Sequence, residues 1–269
     1  MKKKISIIAS FKNEEKNIIE FINRIKNSFK KFRKIDYKLI FIDDCSDDNS
    51  NKLIKNAATK NKKIKLITLK KNYGHDPSVQ TGFDFVGNNN YATIIDCDLQ
   101  EDPELIAKNF NKIKNNETIH FVRKRREDPL FQRFYSRLAY LFLHFISGGK
   151  IIMNTNHFKL IPPNVVKKVK KVNESHPYWN YLLTKFSSKN KIILYVKKKR
   201  TYGLSKFNIF TLNPWLAFFS GVHYFNDKFV KLISSLLLIN ICLFIIVYSL
   251  YFNILILVIL ILLICFLVL

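Results

Sequence analysis

Hydrophobic and polar positions switch between two periods along the first hundred residues. Residues 5–9, Ile-Ser-Ile-Ile-Ala, form an apolar run of strand length. Asn13-Glu14-Glu15 then opens a stretch with apolar residues at Ile18, Ile19, Ile22, Ile25 and Phe29, the spacing of an amphipathic helix to about residue 32. The alternation repeats: strands at 37–42, 64–69 and 91–95, with helices at about 53–58 and 77–85 and a further helix start at 101–104. Strands alternating with helices predict a mostly parallel α/β sheet covered on both faces. In such sheets ligands bind outside the carboxyl ends of the strands. The polar clusters at residues 10–14, 43–50 and 96–100 each follow a strand, so they are expected along one rim.

The pattern changes at the other end. Residues 232–269 hold no charged side chain, a run of 38. At ~1.5 Å per residue one straight helix of that length would far exceed a hydrocarbon core of ~30 Å, so two spans are expected. A break near 248–253 places Tyr248 and Tyr251 as interfacial aromatics, and residues 214–219, Pro-Trp-Leu-Ala-Phe-Phe, read as a membrane-surface segment. The expected organisation is a domain at 1–207, an amphipathic segment at 208–231 and a hairpin at 232–269. Lys228 and Lys231 flank the first span, and the positive-inside rule then puts residues 1–230 in the cytoplasm, on a multi-pass protein of the cytoplasmic membrane. The run reaches Leu269 without a polar flank, as in a chain cut short or a last helix paired with another subunit, so a homo-oligomer stays open.

Charge narrows the partners. Lys and Arg total 45 against 20 acids, a formal +25, which suits nucleic acid, anionic headgroups or phosphate-bearing substrates. Nucleic-acid binding explains neither three acidic clusters at one sheet rim nor the uncharged tail, and no nucleic-acid partner is expected. Cys45, Cys97, Cys242 and Cys265 show no C-x-x-C spacing, which removes zinc ribbons and disulfide frameworks. The apolar run after Met1 turns polar at Ser10 and Lys12, too soon for a signal peptide.

The candidate chemistry centres on Asp96-Cys97-Asp98-Leu99-Gln100. Residues i and i+2 of a strand share a face, so Asp96 and Asp98 can address one hard cation, with the Gln100 amide oxygen as a third donor. Oxygen ligation suits Mg2+ or Mn2+, which keep positions open for substrate phosphates. A carboxylate such as Asp44 on the same rim can accept hydrogen bonds from a base edge or ribose.

Here the chain resembles GT-A fold, family-2 glycosyltransferases, in particular polyprenyl-phosphate sugar transferases of the dolichol-phosphate mannose synthase type. The likeness is carried by Ser10-Phe11-Lys12-Asn13-Glu14-Glu15, Asp43-Asp44-Cys45-Ser46-Asp47-Asp48-Asn49-Ser50, Asn72-Tyr73-Gly74-His75, residues 96–104 and Arg200-Thr201-Tyr202-Gly203-Leu204-Ser205-Lys206-Phe207. The resemblance implies that Ser10, Lys12, Glu14, Ile42 and Asp44 contact the nucleotide of a UDP- or GDP-sugar. It implies that Asp96, Asp98 and Gln100 hold the metal and diphosphate, with Cys97 contributing backbone. Ser10 stands where the family has proline, and Lys12 where it has an aromatic. Arg123 falls near a family G-x-R whose glycine position is Phe121, with Arg125 and Arg126 as alternatives. Arg200 and Lys206 match an element that closes over the phosphates, which makes Asp96, Asp98 and Arg200 the implied catalytic set of an inverting, metal-dependent hexosyltransferase.

One further helix points to the acceptor. Arg133, Ser136 and Arg137 share it with Phe134, Leu138, Leu141, Phe142 and Phe145, cations beside an apolar face, which suits the phosphate of a polyprenyl lipid. The competing expectation is a hydroxyl acceptor on a glycan or lipid. His157, His176 and His223 have no metal or triad spacing and are expected to be structural.

Overall fold

The computed structural model of the chain describes residues 3–32, 35–114, 116–124, 130–174, 177–198, 218, 221, 222, 224, 235–244 and 247–252. It divides into two compact units, Met1–Gly221 and Val222–Leu269. In the first, β1 (Lys3–Phe11), α1 (Glu15–Lys30), β2 (Ile35–Asp43), α2 (Ser50–Lys60), β3 (Ile64–Thr68), α3 (His75–Asp84), β4 (Tyr91–Ile94) and α4 (Pro103–Phe110) alternate as the pattern predicts. β5 (Glu117–Arg123), α5 (Leu130–Ile146), β6 (Thr155–Ile161), α6 (Pro163–Val169), α7 (Trp179–Phe186) and β7 (Lys189–Tyr195) follow.

The strands form one sheet in the order β3-β2-β1-β4-β6-β5-β7. β1, β2, β3 and β4 are parallel, so their carboxyl ends share one rim. β6 runs antiparallel between β4 and β5. Its first residues therefore arrive at the rim where β4 ends: the pairing of Ile94 with Lys159 leads outward toward Asp96 on one strand and His157 on the other. The fold is the mostly parallel GT-A architecture that the pattern and the resemblance imply.

β1 is buried almost throughout because helices cover both its faces. α1 buries Ile18, Phe21, Ile25 and Phe29 along one face. α3 approaches β1 so closely that a Cβ at Gly82 would lie 2.4 Å from Ile8 Cγ2 and 3.4 Å from Ile42 Cγ1. α5 behaves differently. Phe134, Leu138, Leu141 and Phe145, at helical spacing on one face, stay exposed, Phe145 by 83%.

In the second unit, the helix Ser235–Phe252 has the length and composition to cross a membrane, and its described side chains are exposed. Within it, Asn240 Nδ2 donates to the Leu236 carbonyl at 2.9 Å, so its polar group is satisfied inside the helix. The second expected span, 253–269, and most of the expected surface segment lie outside the described residues.

Candidate active site

The rim is built by loops that lock onto each other. Asn13, with φ of 56°, donates its backbone N–H to Ser46 Oγ at 3.1 Å and accepts from the Asp47 N–H through Oδ1 at 3.0 Å. The Glu14 N–H donates to Ser50 Oγ at 2.9 Å, and the Glu15 N–H to Asp48 Oδ2 at 3.1 Å. These N–H groups open α1, where backbone donors lack helical partners, so the acidic loop after β2 caps a neighbouring helix. The first two sequence clusters therefore meet. Ser10 is buried, Lys12 half-buried, and the Glu14 carboxylate accepts from Asn17 Nδ2 at 2.5 Å.

Asp44 organises the third loop. Its two carboxylate oxygens accept the N–H groups of Tyr73, at 2.7 Å, and Gly74, at 2.9 Å. That carboxylate shapes the turn before α3; its remaining lone pairs are what a ribose could use. Ile42 is fully buried under α3, so its side chain is core and a base contact at that position falls to the main chain.

Asp96 to Gln100 lie beyond the end of β4, in a turn that includes Leu99 at φ of 64°. The strand argument for pairing Asp96 with Asp98 therefore does not apply; the turn sets their placement instead. Asp98 is buried and accepts from the Gln100 N–H at 3.1 Å. Gln100 Nε2 donates to the Lys198 carbonyl at 3.1 Å, leaving its amide oxygen as an acceptor, and the Lys198 N–H donates to the Gln100 carbonyl at 2.9 Å. The segment after β7 is thus docked on the acidic turn, two residues before Arg200. Arg200 and Lys206 themselves, like Arg125 and Arg126, lie outside the described residues. Cys97 is buried, and burial, reinforced by the Glu14, Asp96 and Asp98 charges, pushes its thiol well above the usual range.

Three residues missing from the expected site stand against Asp96. His75 Nε2 lies 3.2 Å from Asp96 Oδ1, and His75 Nδ1 lies 3.3 Å from Asp76 Oδ1. His157 Nε2 lies 3.5 Å from the same Asp76 oxygen, and the two imidazoles are 4.4 Å apart between centroids. His157, expected to be structural, thus lies against two polar side chains of α3. Both of these partners come from the start of α3, and the antiparallel entry of β6 brings His157 there. Burial opposes charge on His75, but the Asp76 and Asp96 carboxylates outweigh it and raise the imidazole to about 10. Burial and the His75 charge lower His157 to about 4. His176 and His223 lie outside the described residues.

The two acids beside the turn have different partners. Asp102 does cap α4, accepting from the Glu104 N–H at 3.0 Å. Glu101 is 2% exposed, and its Oε1 accepts from the Tyr195 hydroxyl at 3.2 Å and from Asn156 Nδ2. Burial, then the Asp96 charge, raises its carboxyl to about 8. Arg123, at the end of β5, is a neighbour: burial disfavours its charge, but Tyr195 and Glu101 more than compensate and raise its pKa. On α5, Arg133 and Arg137 are exposed and Ser136 is half-buried.

Carboxylates and an amide oxygen on one rim suit a divalent cation, and the backbone N–H groups there shape the loops by donating to protein acceptors. The donor set of Asp96, Asp98 and Gln100 is all oxygen, as Mg2+ or Mn2+ requires.

A family description, Glycosyl transferase family 2, matches residues 6–170. The "Uncharacterized glycosyltransferase YkcC" of Bacillus subtilis (strain 168) is 29% identical over 85% of this chain and 70% of its own length. The "Bactoprenol glucosyl transferase" of Shigella phage SfX is 26% identical over 83% of this chain and 72% of its own. Among solved structures, glucosyl-3-phosphoglycerate synthase from Mycobacterium tuberculosis, in complex with Mn2+, UDP and glucosyl-3-phosphoglycerate, superposes with a TM-score of 0.50. It is 12% identical and covers 75% of this chain and 73% of that one.

Proposed function

The chain belongs to glycosyl transferase family 2, and from that premise we propose that it moves a hexose from a nucleoside diphosphate sugar to a polyprenyl phosphate at the cytoplasmic face of a membrane. The observation that carries the acceptor is α5. Arg133 and Arg137 stand exposed beside an exposed stripe of Phe134, Leu138, Leu141 and Phe145, a cationic edge on an apolar surface that suits a lipid bearing a phosphate. The bactoprenol glucosyl transferase relatives support the same acceptor class. The apolar helix Ser235–Phe252 supports membrane attachment. A second span at 253–269 would make the protein multi-pass.

In this proposal the Asn13–Ser50 and Asp44–Gly74 loops seat the nucleoside, and Asp96 and Asp98, with the Gln100 oxygen, would hold Mg2+ or Mn2+. Such an ion neutralises charge developing on the departing diphosphate. Arg200 and Lys206 follow the segment that Gln100 docks, which favours their closing over the same phosphates. A phosphate monoester has its second pKa near ~6, so the acceptor is already anionic at pH 7 and attacks the anomeric carbon in line, with inversion. No carboxylate need remove a proton. Glu101 fits that picture: raised to about 8, it is mostly protonated at pH 7 and is a poor base.

The test is mass spectrometry of lipids formed by the purified full chain from undecaprenyl phosphate and a panel of UDP- and GDP-sugars. A prenyl phosphate carrying one hexose is expected, with free nucleoside diphosphate. Transfer only to hydroxyl acceptors would replace this acceptor with the alternative.

A further inference from the structure

We propose that His75, Asp76 and His157 form a binding site for a transition-metal cation of the Zn2+ class, separate from the oxygen site for the diphosphate metal. One potential ligand atom from each of the three lies within 4.8 Å of those of the other two. Two of the separations are known, 3.3 Å from His75 Nδ1 to Asp76 Oδ1 and 3.5 Å from His157 Nε2 to the same oxygen. A metal with ligand bonds of ~2.0–2.1 Å in tetrahedral geometry needs its ligands about 3.4 Å apart, so both separations from the Asp76 oxygen already fit. Two imidazoles and one carboxylate are a donor set that selects Zn2+, Co2+ or Mn2+ over Mg2+. Three protein ligands leave a fourth position open for water or an anionic oxygen.

The surroundings match what a metal-binding histidine has. With His75 Nδ1 on the metal, its Nε2–H donates to Asp96 Oδ1 at 3.2 Å, the carboxylate–histidine arrangement that fixes tautomer and ring orientation. Asp76 is anchored from behind, its carbonyl accepting from Trp179 Nε1 at 3.0 Å. Charge is the opposing consideration. The site sits at the N-terminus of α3, and the buried Lys159 acts on both Asp76 and His157, all of which disfavour a cation. The Asp76 and Asp96 carboxylates offset them, and the ion takes the place of the proton that the same carboxylates favour on His75 Nδ1. The three ligands are supplied by α3 and β6, so the ion would tie the start of β6 to the start of α3.

The experiment uses the full chain in detergent, stripped with chelator and desalted, without nucleotide sugar, titrated calorimetrically with ZnCl2 and separately with MgCl2. One Zn2+ per chain is expected, with a dissociation constant at or below micromolar and Mg2+ at least about 100-fold weaker. His157→Ala and His157→Gln should each weaken Zn2+ by about 100-fold or more, and Asp96→Asn by about 10–100-fold as a hydrogen-bonding partner. Asp98→Asn should leave the affinity within about threefold of wild type. Circular dichroism checks that each variant folds, and Co2+ loaded into the wild type should show visible bands of a nitrogen-ligated, low-coordinate ion. Absence of Zn2+ binding, wild-type affinity in both folded His157 variants, or loss in Asp98→Asn with retention in His157→Gln would overturn the site. None of these readouts depends on sugar transfer, so failure here leaves the transferase proposal standing, and the reverse.

Discussion

His75 Nε2 and Asp96 Oδ1 are 3.2 Å apart, joining the first residue of α3 to the turn after β4. Burial alone would push the Asp96 carboxyl upward, yet the hydrogen bond and charge of His75, helped by Lys197, hold it below the usual carboxylate range. His75 therefore favours the ionised form of Asp96, the form that a cation requires. Replacing Asp96 or Asp98 by Ala should lower kcat by on the order of 10²-fold or more, as loss of electrostatic transition-state stabilisation does. Steady-state rates at saturating nucleotide sugar check this, and a wild-type kcat in both variants would end their catalytic assignment.

Glu101 predicts a pH effect on stability. Burial and the Asp96 charge raise its carboxyl from 4.5 to about 8. Between those values the folded chain holds a proton that the unfolded chain has released, so stability should fall as pH rises across the window. Glu101→Gln imitates the protonated acid and should flatten that fall. Chemical denaturation of the full chain in detergent at pH 5 and pH 8 measures it; equal slopes for variant and wild type would count against the buried acid.

Gly82 tests the packing under the rim. A Cβ there would meet Ile8 Cγ2 at 2.4 Å, in a layer where Ile8 and Ile42 are fully buried and cannot move outward. Gly82→Ala should destabilise the domain by about 1–3 kcal/mol through overpacking, despite the better helix propensity of alanine. A melting temperature at or above wild type would show that α3 can lift from the sheet without loss.

The first four strands were legible because β1, β2 and β4 are continuous apolar runs, and the acidic clusters fall where parallel strands end. The later strands were hidden by their own cores. His120 in β5 and Lys159 in β6 are fully buried, so the apolar pattern is broken where the burial is deepest. Lys159 is accommodated by Asn180 Oδ1 at 2.6 Å and the Asn156 carbonyl, partners that no local pattern shows. The neighbours of His157 were hidden for the same reason: it reaches Asp76 and His75 only because β6 enters the sheet antiparallel. At Glu101 the sequence shows only a helix start, whereas its side-chain partners are Asn156 and Tyr195, 55 and 94 residues away. The histidine after Asn72-Tyr73-Gly74 was the available clue, since it ends a turn at the same rim.

The last prediction separates a lipid phosphate from a hydroxyl acceptor. Arg133 and Arg137 are one helical turn apart on α5 and exposed, so replacing both leaves the core untouched. If they receive the acceptor phosphate, Arg133→Gln with Arg137→Gln removes two charge-assisted contacts and should raise KM for undecaprenyl phosphate by about tenfold or more. The dissociation constant for the nucleotide sugar should stay within about twofold if its contacts are the proposed ones, in the loops after β1, β2 and β4. Phe134→Ser with Leu138→Ser should raise the same KM without altering charge if the exposed apolar area on that face receives the isoprene units. If KM for the lipid is unchanged in both double variants, α5 does not meet the acceptor. If instead Glu101→Gln or Asp102→Asn abolishes transfer with metal binding intact, the nucleophile needs a base, and a hydroxyl must take the place of the phosphate.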